Sequence, residues 1–340
     1  MMPEGGRKKL WNILKYIIFL AIGIFIFWWI YKDFKLEDIK AIFKELNYGW
    51  LILTIFLGFL SQLSRAIRWN MLIRPLGYKP KLKNTFLAVV VLYFVNLLIP
   101  RAGEIARCTV LTKYEKIPLS KLIGTVIVER LADFITMIIL GIIIFSINVS
   151  SLQKFLFLHP EINNKLIKLL SLTNVLFGIA VLFFILLIFI IAKPWKHSKM
   201  GEKVKKIKHN FTDGIKSIMK LENKWYFIGH TLLIFTLWLL MLYAVFLAFP
   251  PTRHLSIWTG MFTFLMGSFA MLAPVQGGIG PWHFMIYETL SIFGISLADG
   301  KIFALIAHTS TNLINLVFGF LALLLLPLVN QKKKKDHGRL

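Results

Sequence analysis

The sequence is poor in the residues that build most soluble catalytic sites. It has a single cysteine, Cys108, which excludes an internal disulfide framework and any cysteine-based metal cluster. Acidic residues are scarce, 16 against 40 lysines and arginines, and nowhere form an Asp-rich metal cluster. The patterns G-x-x-x-x-G-K-[ST], H-E-x-x-H and G-x-S-x-G are absent. Their absence removes the phosphate-cradling loop of an ATPase, the zinc-protease helix and the nucleophile elbow. No polar segment exceeds about thirty residues, too short for a separate soluble domain.

What the chain has instead is apolar length. Of 340 residues, 57% are hydrophobic and mean hydropathy is +0.70, which marks a polytopic membrane protein. Segments 13–31, 50–71, 122–148, 173–192, 228–249 and 301–328 are each long enough to span. The first is too long for a signal-peptide core and lacks a small-residue cleavage site, so it reads as a retained span. Regions 85–112 and 257–296 are apolar but interrupted by Pro, Gly or charge.

A net charge of +24 raises nucleic acid as a partner, but the basic residues flank apolar runs, the pattern of loops beside anionic headgroups. Residues 1–12, 65–84, 101–121, 193–224 and 329–340 hold 29 Lys and Arg, whereas 32–48, 149–172 and 250–256 hold eight. That asymmetry predicts an inner (cytoplasmic) membrane protein with both termini in the cytoplasm. Regions 85–112 and 257–296 must then start and finish on one side. Each is a hairpin, re-entrant or fully crossing.

The halves, about 13–148 and 173–328, then follow one plan turned upside down: three spans and one interrupted hairpin each. "PRAGEI" at 100–105 and "PVQGGI" at 274–279 share P-x-x-G-x-I at the turning points. The expected fold is therefore all-α, a single integral membrane domain over 1–328 followed by a basic tail, 329–340. Paired Pro/Gly-interrupted segments at matching points of inverted halves point to a transporter-type midplane site, since irregular backbone at membrane depth needs protein or a water-filled cavity around it. Asn96, Pro100 and Gly103 mark one expected tip; Pro274, Gly277, Gly278, Gly280 and Pro281 mark the other.

Charges lie where they are costly. Arg65 and Arg68 share a helix face near one end of the second span, where they either snorkel or face a cavity. Arg101, Glu104 and Arg107 form an i, i+3, i+6 series, read as one polar face of a short returning helix with Glu104 paired to one or both arginines. Glu129, Arg130 and Asp133 sit well inside the 122–148 run. Charges at that depth normally face a bundle interior and pair with one another, as structural glue or as part of a site. His308, Asn312 and Asn315, with Thr311 alongside, form a polar stripe that serves as inter-helix glue or cavity lining. His283 is a lone candidate for proton coupling. Segment 198–220 alternates lysines with Met200, Val204, Ile207, Phe211, Ile215 and Ile218 every three or four residues, an interfacial helix on an anionic membrane surface.

"RAIRW", "NLLIPRAGEIAR", "GTVIVERLAD" and "PVQGGIG", in that order and spacing, resemble the flippase-like family that includes the transmembrane region of lysylphosphatidylglycerol synthases. The resemblance covers about 45–328. It implies a membrane bundle that handles amphipathic lipids, and in the best-known members moves aminoacylated phosphatidylglycerol between leaflets. The bifunctional synthases carry a cytosolic aminoacyl-transfer domain after the membrane part, whereas this sequence ends in "NQKKKKDHGRL". Neither lysyl transfer from tRNA nor substrate identity is carried over by the resemblance.

The expectation is a lipid flippase or transporter-like protein acting on an anionic or aminoacylated phospholipid or another lipid-linked amphiphile. Arg65, Arg68, Arg101 and Arg107 would engage a phosphate, guanidinium forks matching its oxygens. Arg130 joins them at the headgroup, and Glu104, Glu129 and Asp133 would hold the arginines or meet a cationic group. No catalytic residue, cofactor, metal or nucleic-acid partner is expected, and a homo-oligomer is left open. The alternatives are a lipid-modifying membrane enzyme, with Glu129 or Asp133 as base, and a non-transporting assembly partner.

Overall fold

The computed structural model describes residues 43–99, 101–169, 209–210, 212–214, 216–273 and 275–331. The expected spans 13–31 and 173–192 lie outside these residues. So do Pro100, Pro274 and most of the proposed amphipathic helix.

The described chain is all-helical, with no strand among the described residues. In order it runs α1 (Tyr48–Ile73), α2 (Leu82–Leu98), α3 (Gly103–Glu115), α4 (Leu119–Ile147), α5 (Val149–Leu158), α6 (Pro160–Leu169), α7 (Lys224–Ala248), α8 (Ile257–Ala270), α9 (Pro281–Ile292) and α10 (Leu297–Val329). Among the described residues, four helices are long and apolar enough to cross a bilayer: α1 with its 3-10 extension to Leu76, α4, α7 and α10. At 33 residues, α10 is about 50 Å long, well beyond an ordinary hydrocarbon core.

Short polar residues set the starts. Asn47, Asn223, Ser256 and Ser296 each accept a backbone N–H of the first turn of α1, α7, α8 and α10, satisfying donors that have no partner in the helix. Pro281 opens α9, where its missing N–H costs nothing.

α1 and α7 pack antiparallel: Asn47 N donates to the Ala248 carbonyl at one end (3.0 Å), while Met71 and Arg74 meet Glu222 and Tyr226 around a cavity of about 300 Å³ at the other. Trp69, Val89, Cys108, Leu111 and Leu122 make a core joining α1 to α4. Phe246, Phe249, Leu290 and Phe303 make a second where α7, α9 and α10 meet. Along α4, Ile127, Leu131, Ile135, Ile138 and Ile142 are exposed at helical spacing. Such a stripe is a liability in water and a fitting surface for acyl chains.

Region 149–172, read from the sequence as a loop, is helical over α5 and α6. Phe155 of α5 is buried against Phe262 and Met266 of α8, and His159 beyond it pairs with Glu288 of α9 at 3.3 Å. Packing on the second hairpin explains these helices, which are too short to persist alone.

Candidate functional site

Glu129, in the third turn of α4, is fully buried and held by four guanidinium groups. Arg65 Nε and Arg68 Nη2 reach Oε1 at 3.0 and 3.2 Å, Arg130 Nη2 reaches the same oxygen at 3.1 Å, and Arg107 Nη1 reaches Oε2 at 2.9 Å. A buried carboxylate without such partners would cost several kcal/mol.

Two further acids complete the charge. Asp133, one turn on, takes Arg68 Nη1 at 2.7 Å and Arg130 Nη2 at 2.8 Å. Glu104 takes Arg107 Nη2 at 2.7 Å, with Arg130 at 3.4 Å and Arg65 at 3.7 Å. Four arginines thus face three carboxylates, one positive charge in excess.

Three helices supply the cage because the spacing of each fits. Arg65 and Arg68 are i, i+3 on α1, Glu129 and Asp133 are i, i+4 on α4, and Glu104 and Arg107 are i, i+3 on α3. Residues the sequence reading passed over fix the guanidiniums. Arg65 Nη1 donates to Tyr93 Oη at 2.7 Å and Arg68 Nη1 to Thr231 Oγ1 at 3.0 Å. Arg107 lies over the Trp69 ring, 4.4 Å from its centroid, and the indole Nε1 donates to Thr125 Oγ1 at 2.9 Å. A cation over a desolvated tryptophan face is a favourable placement.

The two hairpin tips meet beside this cage. In the first, Asn96 Oδ1 accepts the Gly103 N–H at 2.8 Å, and α3 starts so close to α2 that a side chain at 103 would strike the Leu92 carbonyl. Arg101 departs from expectation. It precedes α3 in a left-handed conformation, φ 61, so it is not on a helix face with Glu104 and Arg107. Its Nη2 donates instead to the Leu272 carbonyl of the second tip, at 2.8 Å.

In that second tip Gly277, Gly278 and Gly280 all have positive φ, which side chains other than glycine's rarely adopt. His308 Nε2 lies 2.7 Å from the Gly277 carbonyl, which makes it the protonated nitrogen and leaves Nδ1 to accept Asn312 Nδ2 at 3.0 Å. Gln62, one turn before Arg65, donates to Asn315 Oδ1 at 3.1 Å. His283 is buried in α9 with its ring 4.4 Å from that of His308.

Cage and tips enclose a cavity of about 580 Å³, within the ordinary range of small-molecule sites. Arg65, Glu104, Arg130 and Asp133 give it a charged lip. Asn96, His308, Thr311, Asn312 and Asn315 give it an uncharged polar wall, and Phe134, Trp238, Phe264, Met271 and Trp282 an apolar one. Arg68, Arg107 and Glu129 lie behind the lining. Arg130, with its side chain 41% exposed, touches all three acids and is the most accessible charge of the cluster. Among the described residues no cluster of His, Cys, Asp or Glu is arranged to hold a metal. An arrangement with fixed charge at one end and aromatic walls beyond it can bind an amphiphile through both of its parts.

Comparison with known proteins agrees with a membrane protein built of apolar helices. The family model of the lysylphosphatidylglycerol synthase TM region matches residues 16–319. The chain belongs to that family. It is also similar to UPF0104 membrane protein MJ1595 of Methanocaldococcus jannaschii, with 31% identity over 137 residues. That match covers 38% of this chain and 38% of the relative's length. No solved structure matches.

Proposed function

We propose that the protein is a lipid transporter of the flippase type, passing a headgroup through the cavity between its hairpin tips while the acyl chains stay in the bilayer. The observation that carries this reading is the graded cluster around Glu129. Its buried members, three arginines and Glu129, are balanced by the more accessible Glu104 and Asp133, which with Arg130 line a cavity whose other walls are polar and aromatic. Charge at membrane depth pairs within the bundle or faces a water-filled cavity, and a cavity lined by paired charge can receive a polar headgroup.

In this reading Arg130, backed by Arg65, meets the phosphate, guanidinium groups suiting its oxygens. Arg68, Arg107 and Glu129 hold those two in place. The inverted halves and the cytoplasmic position of both termini belong to the same proposal, as does an anionic membrane surface as partner of the basic loops.

Leaflet exchange tests it. Purified protein in liposomes carrying NBD-labelled anionic and zwitterionic phospholipids should let dithionite reach inner-leaflet probe faster than in protein-free liposomes. Arg130→Gln should slow that exchange without loss of folded protein. Wild-type protein, folded by thermal melting, that exchanges none of the lipids across an imposed proton or potential gradient would overturn the reading.

A further inference from the structure

The charged lip accounts for one end of the cavity and leaves the polar wall of α10 unexplained. That wall holds no permanent charge. Asn315 turns its amide oxygen to Gln62 and Asn96 turns its own to Gly103 N–H, so each keeps the two donors of its NH₂. Asn312 spends an N–H on His308 and keeps its carbonyl oxygen, an acceptor. Thr311 spends its hydroxyl hydrogen on the Ala307 carbonyl at 3.0 Å, and it too presents acceptor capacity. Donors and acceptors are therefore interleaved on one surface.

A phosphate only accepts hydrogen bonds and an ammonium only donates them, whereas a hydroxyl does both. The indoles of Trp238 and Trp282 also line the cavity, apolar surface on which the C–H groups of a ring can pack. Gln62 and Arg65 lie one helical turn apart on α1, about 5 Å, so the amide wall begins about one ring's width from the charged lip.

We infer that the site takes a phosphodiester lipid whose headgroup is a polyol or sugar ring, with phosphate at Arg130 and Arg65 and ring hydroxyls on Asn312, Asn315 and Thr311. This rests on the transporter reading for its lipid, but it is a statement about binding and can be tested without transport. Apolar lining beyond the ring favours an acylated form over a soluble phosphorylated polyol.

The comparison that isolates the ring uses two lipids of equal charge. Dioctanoyl phosphatidylinositol and dioctanoyl phosphatidylmethanol differ only in the polyol, and both can be titrated into detergent-solubilised protein while following tryptophan fluorescence. The inositol lipid should bind roughly tenfold tighter, the worth of one or two net hydrogen bonds. Asn312→Leu should abolish that preference and keep wild-type affinity for phosphatidylmethanol, which also shows that the variant is folded. Should Asn312→Leu bind neither lipid, Thr311→Val, which removes one hydroxyl at constant shape, replaces it and should reduce the preference several-fold.

Equal binding of the two lipids by wild-type protein would overturn the inference. So would tighter binding of dioctanoyl phosphatidylethanolamine, which would assign the wall to an amine. Glycerophosphoinositol without acyl chains binding as tightly as the lipid would move the site to a soluble phosphorylated polyol and overturn the lipid. Preference for inositol in binding, with no lipid exchanged in liposomes, would leave this inference standing and count against transport alone.

Discussion

Arg101 and Leu272 join the two hairpin tips through one hydrogen bond, guanidinium to carbonyl, 2.8 Å long. Arg101 makes it from a left-handed backbone conformation, uncommon for a residue with a side chain. The bond ties two hairpins that are far apart in sequence, at the edge of the cavity they share.

Replacing Arg101 with alanine should therefore open the cavity more than it weakens the fold. The residue is exposed, so stability should fall by less than about 1.5 kcal/mol. A cysteine placed at the cavity-lining Ser268 should react several-fold faster with a maleimide in the Arg101→Ala background. Unchanged reactivity would show that the tips are held together elsewhere.

The cage around Glu129 predicts the opposite balance. Glu129→Gln leaves three fully or nearly buried guanidiniums with one carboxylate fewer, and breaking a buried pair costs about 3–5 kcal/mol. Thermal melting in detergent should show this loss. Arg130→Gln, at the exposed edge of the same cluster, should cost about 1 kcal/mol or less. Combining Glu129→Gln with Arg107→Met should recover part of the stability, because the two share one interaction.

The first tip depends on close approach. Gly103→Ala drives a methyl group into the Leu92 carbonyl and should cost about 1–3 kcal/mol by forcing α3 away from α2. Asn96→Ala removes the acceptor for Gly103 N–H and should cost about 1 kcal/mol. Equal melting temperatures for Gly103→Ala and wild type would mean that the hairpin is not packed this way.

Antiparallel packing of α1 and α7 fixes which loops share a side. Single cysteines at Lys79 and Glu222 should label from one face of the membrane and a cysteine at His254 from the other, with an impermeant reagent on intact cells against permeabilised ones. In the proposed orientation the first two need permeabilisation. Lys79 and Glu222 labelling from opposite faces would contradict the pairing of Asn47 with Ala248.

Much of the site was legible because helical spacing carries it. Arg65 with Arg68, and Glu129 with Asp133, could be placed on shared faces from their numbers alone, and the Pro/Gly interruptions marked both turning points. Arg101 could not be placed that way, since spacing assumes the helix has begun and the chain is still turning at 101. Tyr93 was invisible inside an apolar run. A weak signal for Trp69 existed in Gln62, Arg65 and Trp69 at i, i+3, i+7. Helices α5 and α6 escaped because their stability comes from contacts such as Phe155 with Phe262, made with residues a hundred positions away.

Four guanidiniums converging on Glu129 also divide the molecule mechanically. α1, α3 and α4 are pinned to one another through a single carboxylate, so none can slide by half a turn without stranding a buried ion. Across the cavity, α8 to α10 meet that block through neutral amides, a histidine and the Arg101 bond, while apolar packing of Ile144 with Phe262 and of Val110 with Leu326 joins them away from the cavity. In the proposed transport, the contacts that a passenger would exchange are those of the uncharged wall, with the charge cage as the fixed side of the cavity.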